Sequence, residues 1–153
     1  MSEITLFTDQ EDLIAELQSR IKVMDEAREI LLRSEDAKYH LINTIGDKQQ
    51  ENFYIILLNS RNRVVKEAVL NIGTTNSSMV DVKTLAREMI LFDDATQLIT
   101  AHNHPSGDLE PSNADIRIFK HIIDLCELLG FNYLDNQVVS KVDAMSFREE
   151  NYF

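Results

Sequence analysis

Along the first third of the chain the apolar positions recur at helical spacing. Leu13, Ile14, Leu17, Ile21, Met24, Ile30 and Leu31 trace one face of a 3.6-residue period. Thr8, followed three residues later by Glu11, has the form of a capping box, so the pattern predicts a long amphipathic helix over the first 33 residues. Ser34 opens a shorter second helix that carries Ala37, Leu41, Ile42 and Ile45 inward and stops at Gly46. At Phe53 the period changes. FYIILLN is too dense for a half-exposed strand, Ser60-Arg61-Asn62 is a polar turn, and RVVKEAVLNIG follows as a second strand; together they predict a hairpin at the centre of a sheet. Strand alternation places Val65, Glu67 and Val69 on one face and Val64, Lys66, Ala68 and Leu70 on the other, which leaves Glu67 among apolar neighbours.

Asp81 caps a predicted helix through Val82, Leu85, Ala86, Met89 and Ile90, and QLITA is a brief strand running into AHNHPSG. Ser112 opens another helix with the stripe Ile116, Phe119, Ile122, Ile123, Cys126 and Leu129, ended by Gly130. FNYLDNQVVS and AMSFRE read as two closing strands. Strands and helices interleave, so the class is α/β.

Composition narrows the picture. A length of 153 residues fits one compact domain, and 44% hydrophobic with 27% charged residues supplies a real core. Lys and Arg number 15 against 26 Asp and Glu, a net charge of −11, and no third of the chain is net basic. A polyanion is therefore repelled, which argues against nucleic acid as a partner. The one cysteine, Cys126, has no partner for an intrachain disulfide, which suits a reducing compartment. It also excludes thiolate-rich zinc sites and the Pro-Cys-x-x-Cys of zinc deaminases. The opening MSEITLFTDQEDL has an acidic flank and no apolar run of signal length, and nothing approaches the roughly 20 apolar residues that span a bilayer. The expected location is cytoplasmic, with no membrane partner.

Chemistry concentrates in one place. His102 and His104 stand two apart at the C-terminal end of a strand, where a period of two puts both imidazoles on one face; on a helix they would diverge by about 200°. Pro105-Ser106-Gly107 turns the chain, and the helix opened by Ser112 brings Asp115 into its first turn. Two imidazoles and a carboxylate are the ligand set of a catalytic zinc. Each part also has a plain reading. Ser112-x-x-Asp115 alone is a helix cap, Glu67 alone is a solvated edge-strand charge, and Lys66 beside it is solvated. His40 and His121, without comparable partners, read as structural.

The joint pattern resembles the JAMM or MPN-plus metalloproteases, whose motif is a distant Glu, His-x-His, seven residues, Ser, two residues and Asp. Here it stands as Glu67, His102-Asn103-His104, PSGDLEP, then Ser112-Asn113-Ala114-Asp115. Within that family the chain is most similar to RadC-type proteins, through AHNHPSG with PS-N-A-D, EAVLNIGT, YLDNQVV and SFRE. The likeness runs from about Ser34 to Glu150, roughly three-quarters of the chain.

The resemblance implies a JAMM/MPN (cytidine deaminase-like) α/β fold with a mixed central β-sheet flanked by helices. It divides the chain into an N-terminal helical extension over 1–33 and a RadC-like JAMM/MPN domain over 34–153. It further implies one zinc per chain on His102, His104 and Asp115, with Glu67 as general base then acid and Ser112 stabilising the tetrahedral intermediate. The implied reaction is hydrolysis of an amide bond in a peptide or protein substrate. Specificity would lie in the loops Gly73 to Val80 and Ser106 to Pro111. The alternative is a RadC-like DNA-repair or mobile-element accessory acting as an interaction module without turnover.

Two features depart from the family pattern. Asn136 stands where RadC-type proteins commonly have His, and residues 1–45 contain no glycine, unlike the helix-hairpin-helix that often precedes the domain and meets phosphates through Gly-containing turns. The first helix instead offers an apolar face to the chain's own body or to a second copy in a homodimer.

Overall fold

A computed structural model of the chain describes residues 10–70 and 80–153. Its elements are α1 (Gln10–Ala27), α2 (Ser34–Ile45), β1 (Phe53–Leu58), β2 (Val64–Val69), α3 (Val82–Leu91), β3 (Gln97–Asn103), α4 (Asn113–Leu129), β4 (Asn132–Val139) and β5 (Ala144–Ser146). Thr8 of the expected first cap and the segment from Gly73 to Met79 lie outside the described residues. The five strands form one mixed sheet in the order β2-β1-β3-β4-β5. Only β3 and β4 run parallel, with α4 as their crossover. The β1–β2 hairpin therefore occupies an edge rather than the centre, and β3, buried at all seven positions, is the middle strand.

Two cores sandwich the sheet. On one face Leu85 and Met89 of α3 and Phe119, Ile122 and Cys126 of α4 pack on Ile55, Leu57, Leu98 and Val138. On the other, Ala37, Leu41 and Ile45 of α2 pack on Ile56, Leu58, Ile99 and Val139. Burial pushes the Cys126 thiol up to about 12, so it serves as a small core side chain. The result is a helix/sheet/helix α/β domain, with α1 as an additional N-terminal helix.

The first helix is shorter than its periodicity predicts. It ends at Ala27; beyond it the chain is extended and bonded to the start of β2, with Val64 N–H donating to Glu29 O (2.8 Å) and Leu31 N–H to Asn62 O (3.0 Å). That turn buries Leu31, and the extended backbone covers part of the β2 edge. The second helix begins as expected, but Ser34 is its first residue rather than its cap: Asp36 caps it, accepting from the Arg33 N–H at 2.9 Å. Gly46 ends it by close approach rather than by a left-handed turn. Its φ is −63°, and a Cβ there would stand 2.5 Å from Ile42 O and 2.6 Å from Ser140 O. Gly130, at φ +74°, closes α4 in the left-handed conformation.

Candidate metal centre

β3 delivers both imidazoles. His102 is opposite Phe53 of β1 and Val138 of β4. His104 continues the ladder through its N–H to Val139 O (2.8 Å), so the strand period persists and both rings emerge on the same side. The turn that follows is closed by Gly107 N–H donating to His104 O at 3.0 Å, with Gly107 at φ +85°, a conformation suited to glycine. The chain then reaches Ser112, whose Oγ accepts from Asp115 N–H (3.1 Å) while its own N–H donates to Asp115 Oδ2 (2.7 Å). This capping box fixes the Asp115 carboxylate at the first turn of α4.

His102 Nε2, His104 Nε2 and Asp115 Oδ2 converge. The three separations are 3.0 Å between the imidazoles, 3.2 Å from His102 to Asp115 and 3.4 Å from His104 to Asp115. Zinc bonds of about 2.0–2.1 Å imply tetrahedral edges of about 3.3 Å, so the donor set has the type and spacing for that ion. Among the described residues it is the one group of His, Cys and acidic side chains with the spacing to hold a metal ion. All three side chains are largely buried, between 10% and 13% exposed. His104 Nδ1 lies 2.7 Å from Asp108 O; donating its proton there leaves the Nε2 lone pair free for the shared point. Burial works to raise the Asp115 pKa, but hydrogen bonding and charge from His102, with Ser112, outweigh it and hold the carboxyl well below the usual range.

The expected fourth member is elsewhere. Glu67 is opposite Ile56, which is opposite Ile99; both isoleucines belong to the core beneath α2. His102 is opposite Phe53, which packs on the α3/α4 core. Glu67 and His102 therefore face opposite sides of the sheet, and at about 3.3 Å per residue they are also offset by roughly 10 Å along the strands. A register shift at Leu57/Leu58 changes the alternation expected for β2. Val64 joins Glu67 on the α2 side; Val65 joins Ala68 on the other. Glu67 is held by His40 Nε2 and by Tyr54 O–H (3.2 Å), with Glu29 Oε2 3.0 Å from His40 Nδ1. His40 thus bridges two carboxylates. Lys66, expected to be solvated, is half-buried with Nζ 5.8 Å from the centre of the Phe92 ring. His121 is exposed, as its helix position predicts.

The carboxylate that does reach the imidazoles is Glu51, with Oε1 3.8 Å from His104 Nε2. Asn103, between the two histidines and facing the other way, makes this contact. Its Oδ1 accepts from Asn52 N–H (2.7 Å) and its Nδ2 donates to Gln50 O (2.9 Å) and Lys48 O (3.2 Å), lashing residues 48–52 to the end of β3. Asn136 lies under the site. It is buried, opposite Thr100, and accepts from the Thr100 hydroxyl at 2.8 Å, which in turn contacts the Tyr133 hydroxyl.

Residues 31–152 match the family model described as a RadC-like JAB domain. The chain is 40% identical over 111 residues to a UPF0758 protein of Finegoldia magna, covering 72% of this chain and 49% of that protein. It is 37% identical over 122 residues to one of Vibrio parahaemolyticus, covering 80% and 54%, and 36% identical over 140 residues to one of Streptococcus pyogenes serotype M6, covering 89% and 60%. The chain thus spans about half to three-fifths of the length of these relatives. Among the described residues no helix is long and apolar enough to cross a membrane.

Proposed function

The chain belongs to the RadC-like JAB domain family, and we propose that it is a zinc-dependent hydrolase of amide bonds, a peptidase or isopeptidase. The observation that carries this reading is the buried convergence of His102, His104 and Asp115, two neutral donors and one anion with three tetrahedral edges. A zinc ion held there supplies a Lewis acid and lowers the pKa of its water to about 7. The protein's own groups do the rest. Asp115, aimed at the imidazoles by its capping box with Ser112, supplies the negative charge of the ligand set. His104 is held in one tautomer and one ring orientation by Asp108 O.

Proton transfer falls to Glu51 in this reading. Among the described residues its carboxylate is the one brought beside the imidazoles apart from the ligand Asp115, half-exposed and 3.8 Å from His104 Nε2, where a base can take a proton and return it to a leaving amine. Glu67, the first candidate from the motif, faces the other side of the sheet and serves as the anchor of His40. Ser112 accepts from Asp115 N–H, which leaves its hydroxyl proton free to donate to a developing oxyanion; a placed donor of this kind is worth about 3–4 kcal/mol at most. The substrate is a peptide or protein segment, consistent with an exposed loop from Ser106 to Pro111 along the rim of the site and with the acidic charge that argues against nucleic acid.

The test is metal analysis and peptide or isopeptide turnover on four proteins. Wild type should carry about one zinc per chain, and His104→Ala should lose it. Glu51→Gln should keep the metal and lose about 10²-fold or more in kcat, while Glu67→Gln keeps both. Loss of turnover in Glu67→Gln with Glu51→Gln fully active would return the base to Glu67. A wild-type chain that takes up no zinc on dialysis overturns the hydrolase reading.

A further inference from the structure

Among the described residues one helix is left largely uncovered. No described strand or helix packs extensively along α1, and Leu13, Ile14, Leu17, Ile21 and Met24 are 41–65% exposed. Scattered apolar residues, such as the exposed Val23 off this row, need no explanation, but five along one side of a helix do. The spacing Ile14, Leu17, Ile21, Met24 alternates three, four and three residues, a period of 3.5 rather than 3.6. That is the repeat of a left-handed coiled coil, with isoleucine at both a positions and leucine at the first d. β-branched a residues with leucine at d favour two parallel strands.

We propose that α1 is the interface of a parallel two-stranded coiled coil between two copies of this chain. Several observations favour this occupant over others. The chain's own body is a poor one, because α1 leaves it through the extended Glu29–Leu31 backbone, fixed to the start of β2, and through the Arg28–Asp94 ion pair (2.8 Å). The seam ends there, with the helix tethered at its C-terminal end. A lipid surface is a poor one too, because interfacial helices carry cations on the polar face, whereas the α1 sequence has five acidic residues, Glu11, Asp12, Glu16, Asp25 and Glu26, against Arg20 and Lys22. These cations are engaged within the helix, Arg20 with Glu16 at 2.8 Å and Lys22 with Glu26 at 4.0 Å, so the apolar seam is not crossed by a competing charge.

The area suits a reversible dimer. Five side chains at these exposures present on the order of 500 Å² per helix, hence on the order of 1,000 Å² for two copies, near the lower bound of about 1,200 Å² for stable complexes. Two heptads of seam and this area correspond to weak, reversible association rather than a permanent dimer. The proposal does not depend on the hydrolase reading.

Sedimentation velocity of the whole chain, from roughly 5 to 500 µM, tests it. The mass should rise from 17.6 kDa toward twice that value with concentration. Ile21→Lys should remain monomeric at the top concentration with an unchanged melting temperature, while Ser19→Lys, on the outward side of the helix, should dimerise as wild type does. Met24→Cys should form an interchain disulfide on mild oxidation, because equivalent d positions meet in a parallel pair; the native Cys126 is buried. A wild-type chain that stays monomeric throughout overturns the proposal, as does an Ile21→Lys dimer. A dimer whose Met24→Cys variant never cross-links overturns the parallel arrangement. A lower melting temperature in a monomeric Ile21→Lys, with wild type also monomeric, assigns the face to the chain's own body.

Discussion

Replacing His40 with alanine should destabilise the protein in a pH-dependent way that separates a structural Glu67 from a catalytic one. His40 Nε2 meets Glu67, Nδ1 lies 3.0 Å from Glu29, and the Tyr54 hydroxyl donates to Glu67 at 3.2 Å. The His40 side chain is 16% exposed and that of Glu67 28%, whereas Glu29 is 52% exposed, so the Glu67 contact carries most of the energy. A partly buried hydrogen bond to a charged group contributes about 1.5–3 kcal/mol, the half-exposed Glu29 contact under about 1 kcal/mol. His40→Ala should therefore cost about 2 kcal/mol at pH 6, a fall in melting temperature of about 4–8 °C for a chain of this size.

The sign with pH follows from the direction of the His40 shift. The hydrogen bond to Glu67 raises its pKa above 6.5, burial opposes this, and the charges of Glu67 and then Glu29 add to the rise. A folded-state pKa above the unfolded value means that the charge contribution is fully present below about pH 6.5 and is lost as pH climbs through the folded value. Burial, with Glu67 beside it, keeps the Tyr54 phenol protonated across this range, so His40 is the group that titrates. Thermal melts of wild type and His40→Ala at pH 6 and pH 9 should differ most at pH 6, with the gap shrinking toward pH 9 as the ring loses its proton, although a neutral ring still donates one hydrogen bond. Glu67→Gln should remove the same pH-dependent part, and in the double variant the two losses should add to less than their sum. A gap equal at both pH values would refute a charged His40 between two carboxylates.

Further expectations rest on single contacts. Ser112→Ala should lose about 1 kcal/mol as a helix cap and lower kcat without raising KM, read by urea melts beside steady-state kinetics; Ser112→Asp should recover the stability and not the rate. Gly46→Ala should cost about 1–3 kcal/mol, because the added methyl meets the carbonyl oxygens of Ile42 and Ser140, both backbone, and denaturant melts measure it. Asn103→Ala should release residues 48–52 from β3, seen as faster amide exchange at Asn52 and a fall in kcat approaching that of Glu51→Gln, with zinc content unchanged.

What was legible in the sequence and what was not follow one physical line. Periodicity located the nine elements because each buries a stripe or a face, and it fixed the ends that have chemical markers: Asp81 and Ser112 as caps, Gly130 as a left-handed stop. It failed where a tertiary contact overrides the local pattern. Ile30 and Leu31 continue the helical stripe, yet the chain turns extended to bond β2, and the hairpin that reads as a central pair lies at the edge because β3 and β4 pair in parallel through a crossover no local signal encodes.

The same distinction divides the site. His102, His104 and Asp115 were readable because local rules bring them together: a strand period of two, then a capping box that aims the carboxylate back. A distant carboxylate obeys no local rule. Its place depends on the register of β1 against β2 and β3, where one bulge at Leu57/Leu58 resets which residues of β2 share a face; Glu67 goes to the α2 side with His40. Glu51 arrives from the other direction, because β1 begins opposite His102 and Asn103 ties down the three residues before it. A motif written as spacings captures the first kind of information and not the second, so its metal ligands transfer to a new chain more securely than its base.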